Sequence, residues 1–271
     1  MEQNRFSVAD LSTNDILNNL NHSFVSDVFV FESINSTNAY CKELAANGAK
    51  HGTVVIADHQ TQGRGRLGRD FFSPAGSGLY MSILFRTENL SESNPTTLTI
   101  AAGVAVCRAI ESLTDKNPQI KWVNDIFLDG KKICGILAEG GTSSSGSQLD
   151  YVIVGIGLNI STNSFPGKLR EIAGSLFPQN ITRSQFASEI LNNMFALCKE
   201  DNSGSILSEY KHRSLVLGKK ISFTKNSETY CGTAIDINNE GNLIVKLGSG
   251  NLVTLNSGEI SIGSSSFASS D

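Results

Sequence analysis

Residues able to do chemistry crowd into one stretch, Gln62-Gly63-Arg64-Gly65-Arg66-Leu67-Gly68-Arg69, within a chain whose formal net charge is -4. Glycine lets backbone amides approach and converge on an anion, and arginine adds a planar fork of donors matched to phosphate and carboxylate. Three guanidiniums this close repel one another unless something negative lies among them. The stretch therefore reads as an anion clamp, mobile when empty. It also fits G-x-G-x-x-G, but that fingerprint needs a helix opening at the last glycine. Here Asp70-Phe71-Phe72-Ser73-Pro74-Ala75-Gly76 follows, which reads as loop, so the dinucleotide reading is set aside. A solvated charged loop and an RNA-binding Arg/Gly segment are the other readings; the acidic balance and the single, internal copy speak against RNA.

The elements that must carry this stretch follow from pattern. Strands are predicted at 28–31, 53–57, 79–85 and 151–160, the last apolar enough to be buried on both faces. Helices are predicted near 11–20, after Ser33–Asn38 up to a stop at Asn47-Gly48, and near 95–113, 184–199 and 206–215, the third with a small-residue face. Asp129-Gly130 between apolar runs marks a hairpin that sets Lys132 opposite Leu128-Asp129. Gly140–Gln148 reads as an exposed turn. From residue 217 the pattern changes to short strands at 220–223, 231–237, 243–247 and 252–255. The expected organisation is a domain at 1–216, a small β module at 217–263 and a disordered tail at 264–271. No apolar run is expected to reach the roughly 18 residues of a membrane span. Five cysteines without a C-x-x-C pair suggest buried, reduced thiols, and no signal-peptide core is read at the start; both point to the cytoplasm.

Away from the Arg/Gly stretch, each candidate has an ordinary structural reading. Ser-Thr-Asn at 12–14 and again at 36–38 suits helix N-capping. The second copy follows a strand, so Ser36, Thr37 and Asn38 should lie at a sheet edge near the loop. Gln60 ends the next strand and could offer a donor–acceptor pair to a neutral head such as a urea. Lys132 reads as a solvated strand lysine, Asn124 and Asp125 as strand-break residues, and Trp122 as core.

Taken together these stretches resemble biotin protein ligases. The resemblance rests on Ser36-Thr37-Asn38, Gln60 with Gly63–Arg69, Lys121-Trp122-Val123-Asn124-Asp125, Lys131–Leu137 and Gly155-Ile156-Gly157-Leu158-Asn159, in that order. It implies an α+β fold, a mixed sheet flanked by helices, followed by an SH3-like β-barrel. It implies ATP, Mg²⁺ and biotin, formation of biotinyl-5′-AMP, and transfer to a lysine of a biotin carboxyl carrier protein. By position, Ser36, Thr37, Asn38, Gln60, Arg64, Gly65, Arg66, Lys132 and Gly155 would meet biotin. Arg64, Arg66, Arg69, Phe71, Asn124, Lys132 and Asn159 would meet ATP. Lys132, Arg66 and Asp125 would be catalytic, with Asp125 also the candidate metal contact. Val123 stands where the family often has Pro, and Phe71 where it often has Trp. Too few residues precede the first strand for a winged helix, so no specific DNA binding is expected; a homodimer is left open. A lipoate or octanoate ligase on the same fold, and a non-catalytic nucleotide- or RNA-binding module, are the alternatives.

Overall fold

The computed structural model describes residues 10–21, 24–90, 94–142, 149–199, 203–225 and 227–262. Most of the expected Gly/Ser turn (143–148) and the expected tail lie outside them. Strands β1 (Asp27–Ile34), β2 (Thr53–Gln60), β3 (Gly78–Arg86), β4 (Gln119–Lys121), β5 (Asp125–Leu128), β6 (Lys131–Gly141) and β7 (Tyr151–Asn159) form a mixed sheet. Their order is β1-β2-β3-β7-β6-β5-β4. The first two pair in parallel across helix α2 (Thr37–Ala46), and the other ladders are antiparallel.

Alternation along the strands sorts the two faces. Val152, Val154, Ile156 and Leu158 of β7 join Met81, Ile83 and Phe85 of β3 in the main core. Helices α3 (Pro95–Leu113), α5 (Arg183–Lys199) and α6 (Ser203–His212) cover that face. The opposite face is covered by α2 at one end, where Cys41 and Ala45 pack on Val55, Leu84 and Ile153. Past Ile153 this second face carries Gly155 and Gly157 of β7 and Gly135 of β6, with Asn38 of α2 lying over the first and the Phe71 ring over the other two. These glycines line the cavity described below.

Several expectations need correction. Helix α3 does pass for a membrane span by length and composition, with 19 residues and mean hydropathy 1.3. Yet 67% of that window is buried inside the protein, as expected of a core helix. Lys132 pairs with Phe127, not with Leu128-Asp129, because the two-residue turn Asp129-Gly130 closes Leu128 on Lys131; a bulge shifts the register only beyond that pair, between Ile126 and Phe127. The turn itself is as expected, with Asp129 and Gly130 both at positive φ (49° and 74°). Not every thiol is buried: Cys41, Cys107 and Cys134 are, whereas Cys198 is half-buried and Cys231 exposed. Helices α1 (Thr13–Asn18) and α4 (Leu169–Ile172) complete the fold; the first is shorter than expected and the second carries no sequence signal.

Strands β8 (Lys220–Lys225), β9 (Glu228–Ile237), β10 (Leu243–Leu247), β11 (Leu252–Leu255) and β12 (Ile260–Ile262) form an antiparallel sheet ordered β11-β10-β9-β8-β12. Strand β12 was not anticipated. Among the described residues no ladder joins β11 to β12, so the module is an open sheet rather than a hydrogen-bonded closed barrel. Ile221, Phe223, Ala234 and Val245 extend the main core. Trp122, buried as expected, donates its indole N–H to Gly241 O at 2.9 Å. Lys211 and Asp236 pair at 2.6 Å. The module is thus seated against the sheet and helices that build the site.

Candidate active site

The neutral part of the cavity lining starts at the α2 N-terminus. Ser36 caps the helix, its hydroxyl accepting from Ala39 N at 3.5 Å, and Ser12 does the same for α1 from Asp15 N at 3.1 Å. The capping reading therefore holds for both Ser-Thr-Asn copies. The second copy does more. Thr37 donates its N–H and hydroxyl to Gln60 Oε1 at 2.9 and 3.1 Å, and Gln60 Nε2 donates to Ser73 Oγ at 2.9 Å. Asn38 Oδ1 lies 2.6 Å from Ser82 Oγ, and Asn38 Nδ2 donates to Glu139 Oε2 at 2.7 Å. A Cβ at Gly155 would stand 2.1 Å from Asn38 Oδ1, so this chain exists because residue 155 has no side chain.

The Arg/Gly stretch is a small hairpin. Phe71 N donates to Gly63 O and Gly65 N to Arg69 O, at 2.9 and 2.7 Å, while Leu67 and Gly68 take positive φ at its tip. Each arginine has a different setting. Arg66 Nη1 donates to Asn124 Oδ1 at 2.8 Å, and Asn124 Nδ2 donates on to Ile136 O at 2.9 Å. Arg69 pairs with Glu259 of the C-terminal module at 2.5 Å. Both partners are at least half exposed, so that pair contributes about 0–1 kcal/mol. Arg64 makes no side-chain hydrogen bond or ion pair among the described residues, but its charge helps hold the Glu139 carboxyl below the usual range. The hairpin forms a wall shared by two cavities, of about 630 and 810 Å³.

Lys132 Nζ sits 2.6 Å from Asp125 Oδ1. That oxygen is buried and has no partner aligned for a hydrogen bond, so the contact is electrostatic rather than directional. Lys121 lines the same space, with its pKa lowered chiefly by burial and by the Lys132 charge, against the pull of Asp125 and Glu259. Phe71 lies over two glycines: a Cβ at Gly157 would meet its ring at 2.5 Å, and one at Gly135 at 3.2 Å. Asn159 Nδ2 donates to Gly174 O at 3.0 Å, whereas Asn159 Oδ1 is buried with no partner.

Every site residue expected from sequence lines the smaller cavity. Sequence reasoning missed Ser82, Glu139, Lys121 as a site residue, and Glu259. A lone hydroxyl within the apolar run of β3 was the available signal for Ser82; nothing local marks Glu139. Among the described residues no three His, Cys, Asp or Glu side chains come together to hold a metal.

Fold and cavity together define a mixed-sheet α+β domain with a cation-lined cleft and a β module appended. Residues 30–159 match the biotin/lipoate A/B protein ligase family, and residues 216–263 match the biotin protein ligase C terminal domain. The bifunctional ligase/repressor BirA of Bacillus subtilis is 34% identical over 80% of this chain and 68% of its own length. The biotin–[acetyl-CoA-carboxylase] ligase of Mycobacterium tuberculosis is 31% identical over 83% of this chain and 85% of its own. A solved biotin protein ligase from Aquifex aeolicus, in complex with biotin and ATP, superposes with TM-score 0.75 at 26% identity, covering 88% and 99% of the two chains. The chain belongs to the biotin/lipoate A/B protein ligase family, and its place within that family is among the biotin protein ligases.

Proposed function

We propose that this enzyme activates biotin with ATP to biotinyl-5′-AMP and transfers the biotinyl group to a lysine of a carboxylase's biotin carboxyl carrier protein. One observation carries the reading. A single cavity is lined both by hydroxyls and amides (Thr37, Asn38, Gln60) and by cations (Arg64, Arg66, Lys132). That combination suits a ligand with a neutral urea head and a carboxylate tail. Relatives in the same family have been solved with biotin and ATP bound.

The first step joins the biotin carboxylate to the α-phosphorus of ATP and expels pyrophosphate. Its nucleophile is already ionised at neutral pH, so no base is required. What helps is positioning, and cations facing the charge that grows on the α-phosphate. Lys132, Arg66 and Arg64 supply those, with Asp125 holding Lys132 in place. Magnesium enters as part of the Mg-ATP substrate, since Mg²⁺ is commonly held by one or two carboxylates plus phosphate oxygens. Asp125 is the carboxylate assigned to it. Asn159 Oδ1, a buried acceptor awaiting a donor, suits the exocyclic amine of adenine. Phe71 offers the ring for stacking, and Arg69 and Asn124 border the nucleotide.

In the second step a lysine amine attacks the acyl carbon and AMP leaves. Deprotonating that amine at pH 7 costs about 4–5 kcal/mol from its reference pKa. The mixed anhydride is reactive enough that one neighbouring carboxylate can serve as acceptor, and Asp125 is our assignment. Free thiols on all five cysteines are in keeping with a cytoplasmic setting.

The test is one incubation of the protein with labelled biotin, Mg-ATP and a carrier domain, scored for covalent label, with lipoate in a parallel tube. Label from biotin supports the proposal. Label from lipoate alone would shift the substrate assignment, and none from either would refute it.

A further inference from the structure

One row of residues crosses the sheet beneath the cavity. Lys121 of β4 stands directly opposite Asp125 of β5, Asp125 opposite Gly135 of β6, and Gly135 opposite Gly157 of β7. Residues paired in this way point to the same face, so Lys121 and Asp125 are side-chain neighbours. Lys132 lies back over the row: a Cβ at Gly135 would meet its Cε at 3.3 Å and its Nζ at 3.4 Å. The order of charge along the row is therefore Lys132, Asp125, Lys121, and all three line the same cavity.

Nothing in the two steps employs Lys121. Its Nζ lies 5.7 Å from the centre of the Phe127 ring, and among the described residues it makes no hydrogen bond or ion pair. The carboxylate beside it, Asp125, is 2.6 Å from Lys132, and Glu259 is taken by Arg69. Three cations, Lys121, Lys132 and Arg69, thus face two carboxylates, and one positive charge is left over. Burial is the chief cost of keeping Lys121 charged and Lys132 adds repulsion, with Asp125 and Glu259 opposing. A further anion beside Lys121 offsets that cost.

We infer that Lys121 is a catalytic residue of the first step, holding the β- and γ-phosphates of ATP as they become pyrophosphate. The inference rests on reading the cavity as a biotin and ATP site with the α-phosphate at Lys132. Adjacent strands lie about 4.8 Å apart, so β4 is roughly 10 Å from β6, a gap that a triphosphate and a lysine stem bridge together. Asp125, between the two lysines, is the carboxylate assigned to magnesium, which meets phosphate oxygens there. As a carboxylate oxygen of biotin bonds the α-phosphorus, the bond from that phosphorus to its bridging oxygen breaks, and the electron pair leaves on pyrophosphate. Lys121 faces the charge that this places on the leaving group. In the second step AMP departs instead, and Lys121 has nothing to hold.

Lys121→Met tests it, because the variant keeps an apolar stem over Phe127 and removes the charge. In adenylate formation kcat/KM for Mg-ATP should fall about 10²-fold, the usual loss of one transition-state charge donor. Inorganic pyrophosphate should inhibit with a Ki about tenfold weaker. Biotin Kd by titration calorimetry, and the rate of transfer from preformed biotinyl-5′-AMP to a carrier domain, should stay within twofold of wild type. An unchanged kcat/KM for ATP, or a transfer rate that falls as far or further, would overturn the role. Both rates come from one preparation, so their ratio does not depend on the folded fraction. If Lys121→Met yields no folded protein, Lys121→Gln gives the same test with the same outcomes. Wild-type protein that forms no adenylate would sink the reading of the cavity itself; adenylate formation by wild type, matched by the variant, would sink the role of Lys121 alone.

Discussion

Gly155→Ala is a small change with a large expected effect. The added Cβ would sit 2.1 Å from Asn38 Oδ1 and 2.9 Å from its Cγ. Ordinary contact begins at 3.4 Å, so the amide must retreat by more than an ångström or β7 must bend. Either response pulls Asn38 away from Ser82 and Glu139, bonds of 2.6 and 2.7 Å that such a shift breaks. The bond to Glu139 is to a charged, partly buried group, and the bond to Ser82 is fully buried. Their loss costs roughly 2.5–4 kcal/mol, at net values of about 1 kcal/mol for a neutral bond and about 1.5–3 for a charged one. For a chain of this size that lowers the melting temperature by roughly 5–16 °C, at about 2–4 °C per kcal/mol. Calorimetric melting measures the stability, and KM for biotin, expected to rise at least tenfold, measures the site. Gly204→Ala is the control. Its Cβ meets nothing within 4 Å, it sits in α6, and it should stabilise by about 0.5 kcal/mol. A Gly155→Ala protein with wild-type melting and wild-type KM would refute the idea that Asn38 packs against bare backbone.

Lys132→Ala should lower adenylate formation about 10²–10³-fold, the usual loss of one transition-state charge donor, while melting stays near wild type; wild-type pyrophosphate release would remove its assigned role. Trypsin should cut the Arg64–Arg69 hairpin in the empty protein, where the Leu67 side of the tip is exposed, and biotin with Mg-ATP should protect it. Equal cleavage rates would dispose of the clamp. The Glu209 pKa is lowered, first by the Arg108 hydrogen bond and also by Arg213, with burial opposing. A folded pKa below the unfolded one gives stability that is present above the unfolded value of about 4.5 and is lost as pH falls through the folded value. Melting followed from pH 7 to pH 3 should therefore fall less steeply in Glu209→Gln than in wild type; parallel curves would contradict the assignment.

Local chemistry made much of this protein readable from its residues alone. Asp129-Gly130 dictates its own turn, Ser12 and Ser36 cap the helices they precede, and the doubly apolar run of β7 requires a strand covered on both sides. The Arg/Gly stretch likewise makes its own turn, with Leu67 and Gly68 at positive φ. What pattern could not supply was partnership across the fold. Lys132 looks like any solvated strand lysine until a bulge in β6 and the packing of β5 bring Asp125 to it. Glu139 carries no local mark at all; its meaning comes from Asn38 and Lys42, about a hundred positions earlier in the chain. Glycines 155 and 157 read as weak points in a strand, and only the arrival of Asn38 and Phe71 over them shows that the missing side chains are what make room for a pocket. Turns and caps depend on a few neighbouring dihedrals, which adjacent residues control. A site depends on which distant side chains meet, and that is decided when the sheet and its helices close on one another.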